Sequence, residues 1–193
     1  MPITHVNAKG KTYYLHQGTT QTGKPKYHFA MKNEGNLTDS IPEGFEVYEN
    51  PNAQVFLRRI PPKIITDEEK AIVSEGMRQY SDVEDFKIDV KGNAIFVYTA
   101  VQDINALMEI FQDYPRSQDK KAQMMKTLRQ GIQYTPEMQF DLVDEKKRTF
   151  ITQRYCYLGY IDDWIPVGRS GKLPRLVKRY VKHLGKETFV TLR

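Results

Sequence analysis

Two pairs of strand-like runs, each joined by a connection too short for anything but a reversal, constrain this chain most. Phe86-Lys-Ile-Asp-Val90 and Ala94-Ile-Phe-Val-Tyr98 flank Lys91-Gly-Asn93, where Gly and Asn tolerate positive φ. Met138-Gln-Phe-Asp-Leu-Val143 and Thr149-Phe-Ile-Thr-Gln-Arg-Tyr155 flank Asp144-Glu-Lys-Lys-Arg148. Strands joined this closely pair antiparallel, because a parallel pair needs a crossover of about a dozen residues or more. The sequence therefore predicts an α+β fold: an antiparallel sheet built from hairpins with helices on one face, rather than a doubly wound parallel sheet.

The first third of the chain reads as β. Lys11–His16 and Lys26–Met31 are aromatic-rich runs around a loop marked by Gly18, Gly23 and Pro25. Phe45–Tyr48 and Gln54–Leu57 flank Asn50-Pro-Asn52 as a second hairpin. Two hairpins make a small β-meander over residues 1–62. Ile60-Pro-Pro-Lys63 is the linker, since consecutive prolines hold the chain extended. Residues 63–193 then run α-ββ-α-α-ββ-α-β. Thr66-Asp-Glu-Glu69 opens the first helix as a capping box, with Ile72, Val73, Gly76, Met77 and Tyr80 on one side. A second helix is expected from Asp103 to just before Pro115, with Ile104, Leu107, Met108 and Phe111 inward. A third runs from Ser117 to Gly131 as C-cap, Trp164 falls in a loop, and Thr188–Leu192 closes as a strand.

Charge is distributed unevenly. Residues 64–114 carry 4 basic against 11 acidic side chains (net −7), and residues 115–193 carry 17 against 8 (net +9). Such asymmetry fits an anionic ligand, or two oppositely charged surfaces that meet in a homo-oligomer. No apolar run approaches the roughly 20 residues of a membrane span, and Met1–Asn7 shows no apolar core of a secretory signal. Cys156 is the single cysteine, which excludes an internal disulfide and fits a reducing compartment, so a cytoplasmic protein is expected.

The basic end holds the sharpest candidate site. Leu173, Leu176, Val177, Tyr180, Val181 and Leu184 recur at helical spacing over Leu173–Leu184, while Arg175, Lys178, Arg179, Lys182 and His183 take the opposite arc with no acid among them. The apolar stripe is what packing on a sheet requires. The cationic arc, extended by Arg169 and Lys172, suits phosphates of nucleic acid or another polyanion. Docking on a membrane surface fits less well, because Tyr180 and the aliphatics are needed by the core. Arg169-Ser-Gly-Lys172 lacks the spacing of a phosphate-binding P-loop.

Other candidates are weaker. Lys11, Tyr13, Tyr14, Lys24, Lys26, Tyr27 and Phe29 interleave bases and aromatics as base-stacking surfaces do. Alternation, however, puts Tyr27, Phe29 and Met31 on one face, as core burial predicts. Asp162 and Asp163 beside Trp164 form the best acidic pair on an expected loop, suited to a sugar, an amine or acid–base chemistry. His16 and His28 approach each other if their strands pair, yet no Cys or acid stands at a metal-ligand spacing, so no metal is expected. Cys156 alternates with two tyrosines and is expected to face the core. No catalytic motif and no cofactor signature is present.

Tyr13-Tyr-Leu, Thr22-Gly-Lys-Pro-Lys-Tyr-His-Phe29 and Ile41-Pro-Glu-Gly-Phe-Glu-Val-Tyr-Glu-Asn-Pro-Asn52 together resemble bacterial proteins of uncharacterised function over about the first third of the chain. The resemblance implies a recurring small β-module ahead of a variable body and no activity. The expectation is a bacterial cytoplasmic binding protein that meets an anionic partner, nucleic acid first, through its basic C-terminal helix. Two alternatives remain open: a small enzyme or ligand binder with a pocket at Asp162–Trp164, and a structural homodimer joining the acidic middle to the basic end.

Overall fold

The structure, a computed structural model, describes residues 1–102, 106, 107, 109, 117–158 and 161–192. The chain divides into two compact units, Met1–Pro62 and Lys63–Arg193. The first is all β. Strands β1 (Thr4–Val6), β2 (Thr12–Thr19) and β3 (Pro25–Ala30) form one antiparallel sheet in that order, and β4 (Phe45–Glu49) pairs with β5 (Val55–Arg59) in a separate ladder. The expected single meander is thus two sheets. The added strand β1 was hidden by its length of three residues, too short for alternation to register. Pairing of His16 with His28 stacks their rings at 5.2 Å, and His16 Nε2 donates to the Lys32 carbonyl at 2.9 Å. Tyr27 and Phe29 are half-buried, but Met31 lies past the strand end and is exposed.

The second unit is the expected α+β layer. Strands β6 (Phe86–Lys91), β7 (Ala94–Ala100), β8 (Tyr134–Asp144), β9 (Thr149–Leu158) and β10 (Ile161–Gly171) form one antiparallel sheet in the order β10-β9-β8-β7-β6. Alternation sends Ile95, Val97, Met138, Phe140, Phe150 and Val167 to one face, where all are fully buried. Burying a side chain of this size stabilises by about 1.5–3 kcal/mol. Helix α1 (Asp67–Tyr80) and helix α3 (Leu173–Tyr180) cover that face through Val73, Met77, Leu176, Val177 and Tyr180. The two helices approach closely at Gly76, where a Cβ would come within 2.1 Å of Val177 Cγ1.

Helix α1 starts where its capping box requires. Thr66 Oγ1 accepts from the Glu69 amide at 3.2 Å, and Glu69 Oε2 accepts from the Thr66 amide at 3.0 Å. Arg148, in the β8–β9 turn, adds a guanidinium clamp: its Nε donates to Glu69 Oε1 at 2.9 Å, and its terminal nitrogen reaches Glu69 Oε2 and the Ile64 carbonyl. This pair holds the Arg148 guanidinium above its usual pKa, the bond to Glu69 contributing most.

Several expected elements differ. The segment around Trp164 is not a loop but most of β10, because Ile161–Val167 pair with β9 from Leu158 to Thr152. The last residues form helix α4 (Glu187–Val190), not a strand: Phe189 and Leu192, three apart, pack on the core from one side of a turn. Leu173–Leu184 is α-helical only to Tyr180 and continues as a 3₁₀ turn, Val181–His183, yet all six residues of the apolar stripe are buried. Helix α2 (Gln118–Gly131) is capped by Ser117 and includes Gly131, with Ile132 as its C-cap. The helix expected between Asp103 and Pro115 lies largely outside the described residues.

Candidate anion-binding groove

Strand β10 changes course after Val167. Val167 pairs with Thr152 and Gly171 with Phe150, so Gly168, Arg169 and Ser170 stand opposite Ile151 alone. Three residues facing one is a large bulge, which bends the strand and re-aims its side chains. Gly168 makes the bend possible. Its φ is +68°, and a Cβ there would sit 2.0 Å from the Tyr180 hydroxyl oxygen. The buried ring of Tyr180 therefore lies directly beneath the bulge. Lys172 follows as the N-cap of α3, with Pro174 in the first turn, where its missing N–H is no loss.

Between the bulge and α3 lies a groove of about 770 Å³. It is lined by Gly168–Gly171 of the bulge and by Lys172, Arg175, Leu176 and Arg179 of the helix and its cap. Arg175 and Arg179 share a side of the helix because they are one turn apart. Lys172 Nζ donates to the Lys147 carbonyl of the β8–β9 turn at 2.5 Å, which fixes the ammonium at the groove's edge. No acidic side chain among the described residues lines the groove. Among the described residues, none of its four cations forms an ion pair.

Four of the six basic residues expected to act together thus meet in one groove. Lys178 and Lys182 are exposed but do not line the groove; Lys182 lies past the end of α3 in the 3₁₀ turn, and Lys178 Nζ is 5.8 Å from the Tyr80 ring centre. Like charges four apart on a helix destabilise it by a few tenths of a kcal/mol, so the Arg175–Arg179 pair is no help to folding. An anion seated between them removes that repulsion. Arginine is suited to this, since its planar fork meets two phosphate oxygens at once.

The second expected site is arranged differently. Asp162, Asp163 and Trp164 lie on β10, and Trp164 points to the sheet face opposite the helices. There its ring meets Phe96 at 5.7 Å and Tyr155 at 5.3 Å, both edge-on. The Asp162 carboxylate accepts from the Tyr155 hydroxyl, and Asp163 Oδ1 accepts from the Trp164 amide at 2.7 Å. The bond to Asp162 is the main cause of a raised Tyr155 phenol pKa. Acids and aromatics here engage one another.

On the same face, burial raises the carboxyl pKa of Asp141, opposed by a hydrogen bond from Gln139; Glu137, the extra residue of a bulge in β8, is likewise raised by burial and opposed by a hydrogen bond from Thr99. This row was missed from sequence; its only signal was that Phe96, Gln139 and Asp141 alternate with core residues. Cys156 is buried and unpaired. Among the described residues no group of three or more His, Cys, Asp or Glu side chains is placed to hold a metal ion, and no helix is long and apolar enough to cross a membrane.

Compared with known proteins, the chain matches no family model, no curated protein and no solved structure. The groove itself has to carry the functional reading.

Proposed function

We propose that this is a binding protein whose C-terminal groove and basic helix take an anionic partner, with the phosphate backbone of nucleic acid as the first candidate. One observation carries the reading: Arg169, Lys172, Arg175 and Arg179 converge on a single groove that, among the described residues, no carboxylate neutralises. Ordinary surface cations on a helix alternate with acids and gain from doing so. Here one turn of helix and a strand bulge cooperate to concentrate one sign of charge. A bacterial cytoplasmic setting, suggested by the single cysteine and the N-terminal resemblance, belongs to the same reading.

The test is binding of a fluorescent DNA of random sequence, measured by anisotropy across a salt series. Each phosphate contact contributes about −0.9 to the slope of log K against log salt on duplex DNA. The double substitution Arg175→Gln, Arg179→Gln is expected to flatten that slope by about 2. All of these side chains are exposed, so the thermal midpoint should barely move. Absence of binding at low salt refutes the reading. Salt-dependent self-association without DNA binding would instead favour the homodimer.

A further inference from the structure

The groove differs from a generic basic surface in three ways. First, its cations are gathered rather than strung out: Arg169, Lys172, Arg175 and Arg179 line one concavity, while Lys178 and Lys182 lie outside it. A strand backbone laid along the helix would engage Lys178 and Lys182 as well. Second, the groove is built. Gly168 sits at φ +68° against the Tyr180 hydroxyl, and Lys172 is tied to the Lys147 carbonyl at 2.5 Å. Third, the bulge residues Gly168, Arg169 and Ser170 have no register partner on β9, and β10 is the sheet's edge strand.

Charge count then discriminates among phosphates. An internal phosphodiester presents one negative charge and two free oxygens. A phosphomonoester presents three terminal oxygens and nearly two charges above its second pKa of about 6. Four cations on one groove exceed what one diester can neutralise, and arginine forks match the terminal oxygens bidentately. Resting on the polyanion reading above, we infer that this groove receives a terminal phosphomonoester, the phosphorylated end of a nucleic-acid strand, rather than an internal phosphodiester.

The experiment compares one short single-stranded oligonucleotide with a 5′-phosphate, a 3′-phosphate or hydroxyls at both ends, titrated against the full chain at pH 8. A phosphorylated end should bind about tenfold or more tightly than the hydroxyl form, the scale of one charge-assisted hydrogen bond. That preference should shrink below about pH 6, as the monoester takes up its second proton. Arg175→Gln with Arg179→Gln should erase the preference. Lys178→Gln with Lys182→Gln should weaken all three oligonucleotides alike and keep it.

If all three bind equally, and binding still depends on Arg175 and Arg179, the terminal-phosphate assignment is overturned and the polyanion reading stands. If none binds at low salt, both fail. A 5′-mononucleotide that competes as well as the phosphorylated oligonucleotide overturns the assignment to a strand end.

Discussion

Replacing Gly168 by Ala should damage both the fold and the groove, and two separable costs contribute. The residue's φ of +68° is open to glycine but costs an L-residue about 1–2 kcal/mol. The new Cβ would also stand 2.0 Å from the Tyr180 hydroxyl oxygen and 3.2 Å from Cζ, so ring or strand must shift. Tyr180 is only 3% exposed and packed in the core, so its ring has little room to yield. Overpacking of this kind costs about 1–3 kcal/mol. Together these predict a loss of about 2–5 kcal/mol and, at about 2–4 °C per kcal/mol for a chain of this size, a midpoint lowered by roughly 10 °C.

A double-mutant cycle with Tyr180→Phe separates the two terms. Phe removes the clashing oxygen and leaves Cζ at 3.2 Å, a tight contact that a shift of a few tenths of an ångström relieves. Tyr180→Phe alone should therefore be mild, about 1 kcal/mol, and the double variant should be more stable than Gly168→Ala alone. Urea unfolding read by tryptophan fluorescence suits the assay, since Trp164 is the single tryptophan and lies on the same strand. A Gly168→Ala protein as stable as the parent refutes the reasoning outright. A double variant no better than Gly168→Ala refutes the steric part and leaves only the backbone term.

Three further outcomes are expected. Glu69→Ala removes half of the capping box and strips Arg148 of its carboxylate. It should cost about 2–3 kcal/mol by urea unfolding, with Arg148→Met costing less because Glu69 keeps its bond to the Thr66 amide. Thr152 is fully buried with its hydroxyl unpartnered among the described residues, so Thr152→Val, which keeps the shape, should raise the thermal midpoint rather than lower it. Glu137 has its pKa raised by burial above 4.5, so the folded state holds its proton more tightly than the unfolded chain does. Its contribution to stability is complete below 4.5 and is lost as pH rises through the raised value. Glu137→Gln should therefore stabilise at neutral pH and lose that advantage at pH 4, as unfolding curves at the two pH values will show.

Local rules were legible in the chain because their physics is local. The capping box at Thr66–Glu69 forms as its spacing dictates, and the six-residue stripe from Leu173 to Leu184 is buried despite the change from α to 3₁₀ at Val181. The short connections at Lys91–Asn93 and Asp144–Arg148 permit only antiparallel pairing, which settled the class of sheet. Where a segment's conformation depended on a distant partner, the sequence was silent or misleading. Asp162–Pro166 carries turn-forming residues, yet pairing with β9 draws it into a strand. Thr188–Leu192 has β-branched residues suited to a strand, and core contacts of Phe189 and Leu192 coil it instead.

The groove divides along the same line. Its helical charges were visible as an acid-free arc, because periodicity alone places Arg175 and Arg179 on one side of a helix. That Arg169 and Lys172 join them while Lys178 and Lys182 do not could be decided only in three dimensions. It follows from a three-residue bulge seated on Tyr180 and from a lysine tied to a turn 25 residues earlier. Sequence determined which charges exist and which face they leave open. Tertiary packing decided which of them share one space, since convergence depends on contacts between elements that no local pattern records.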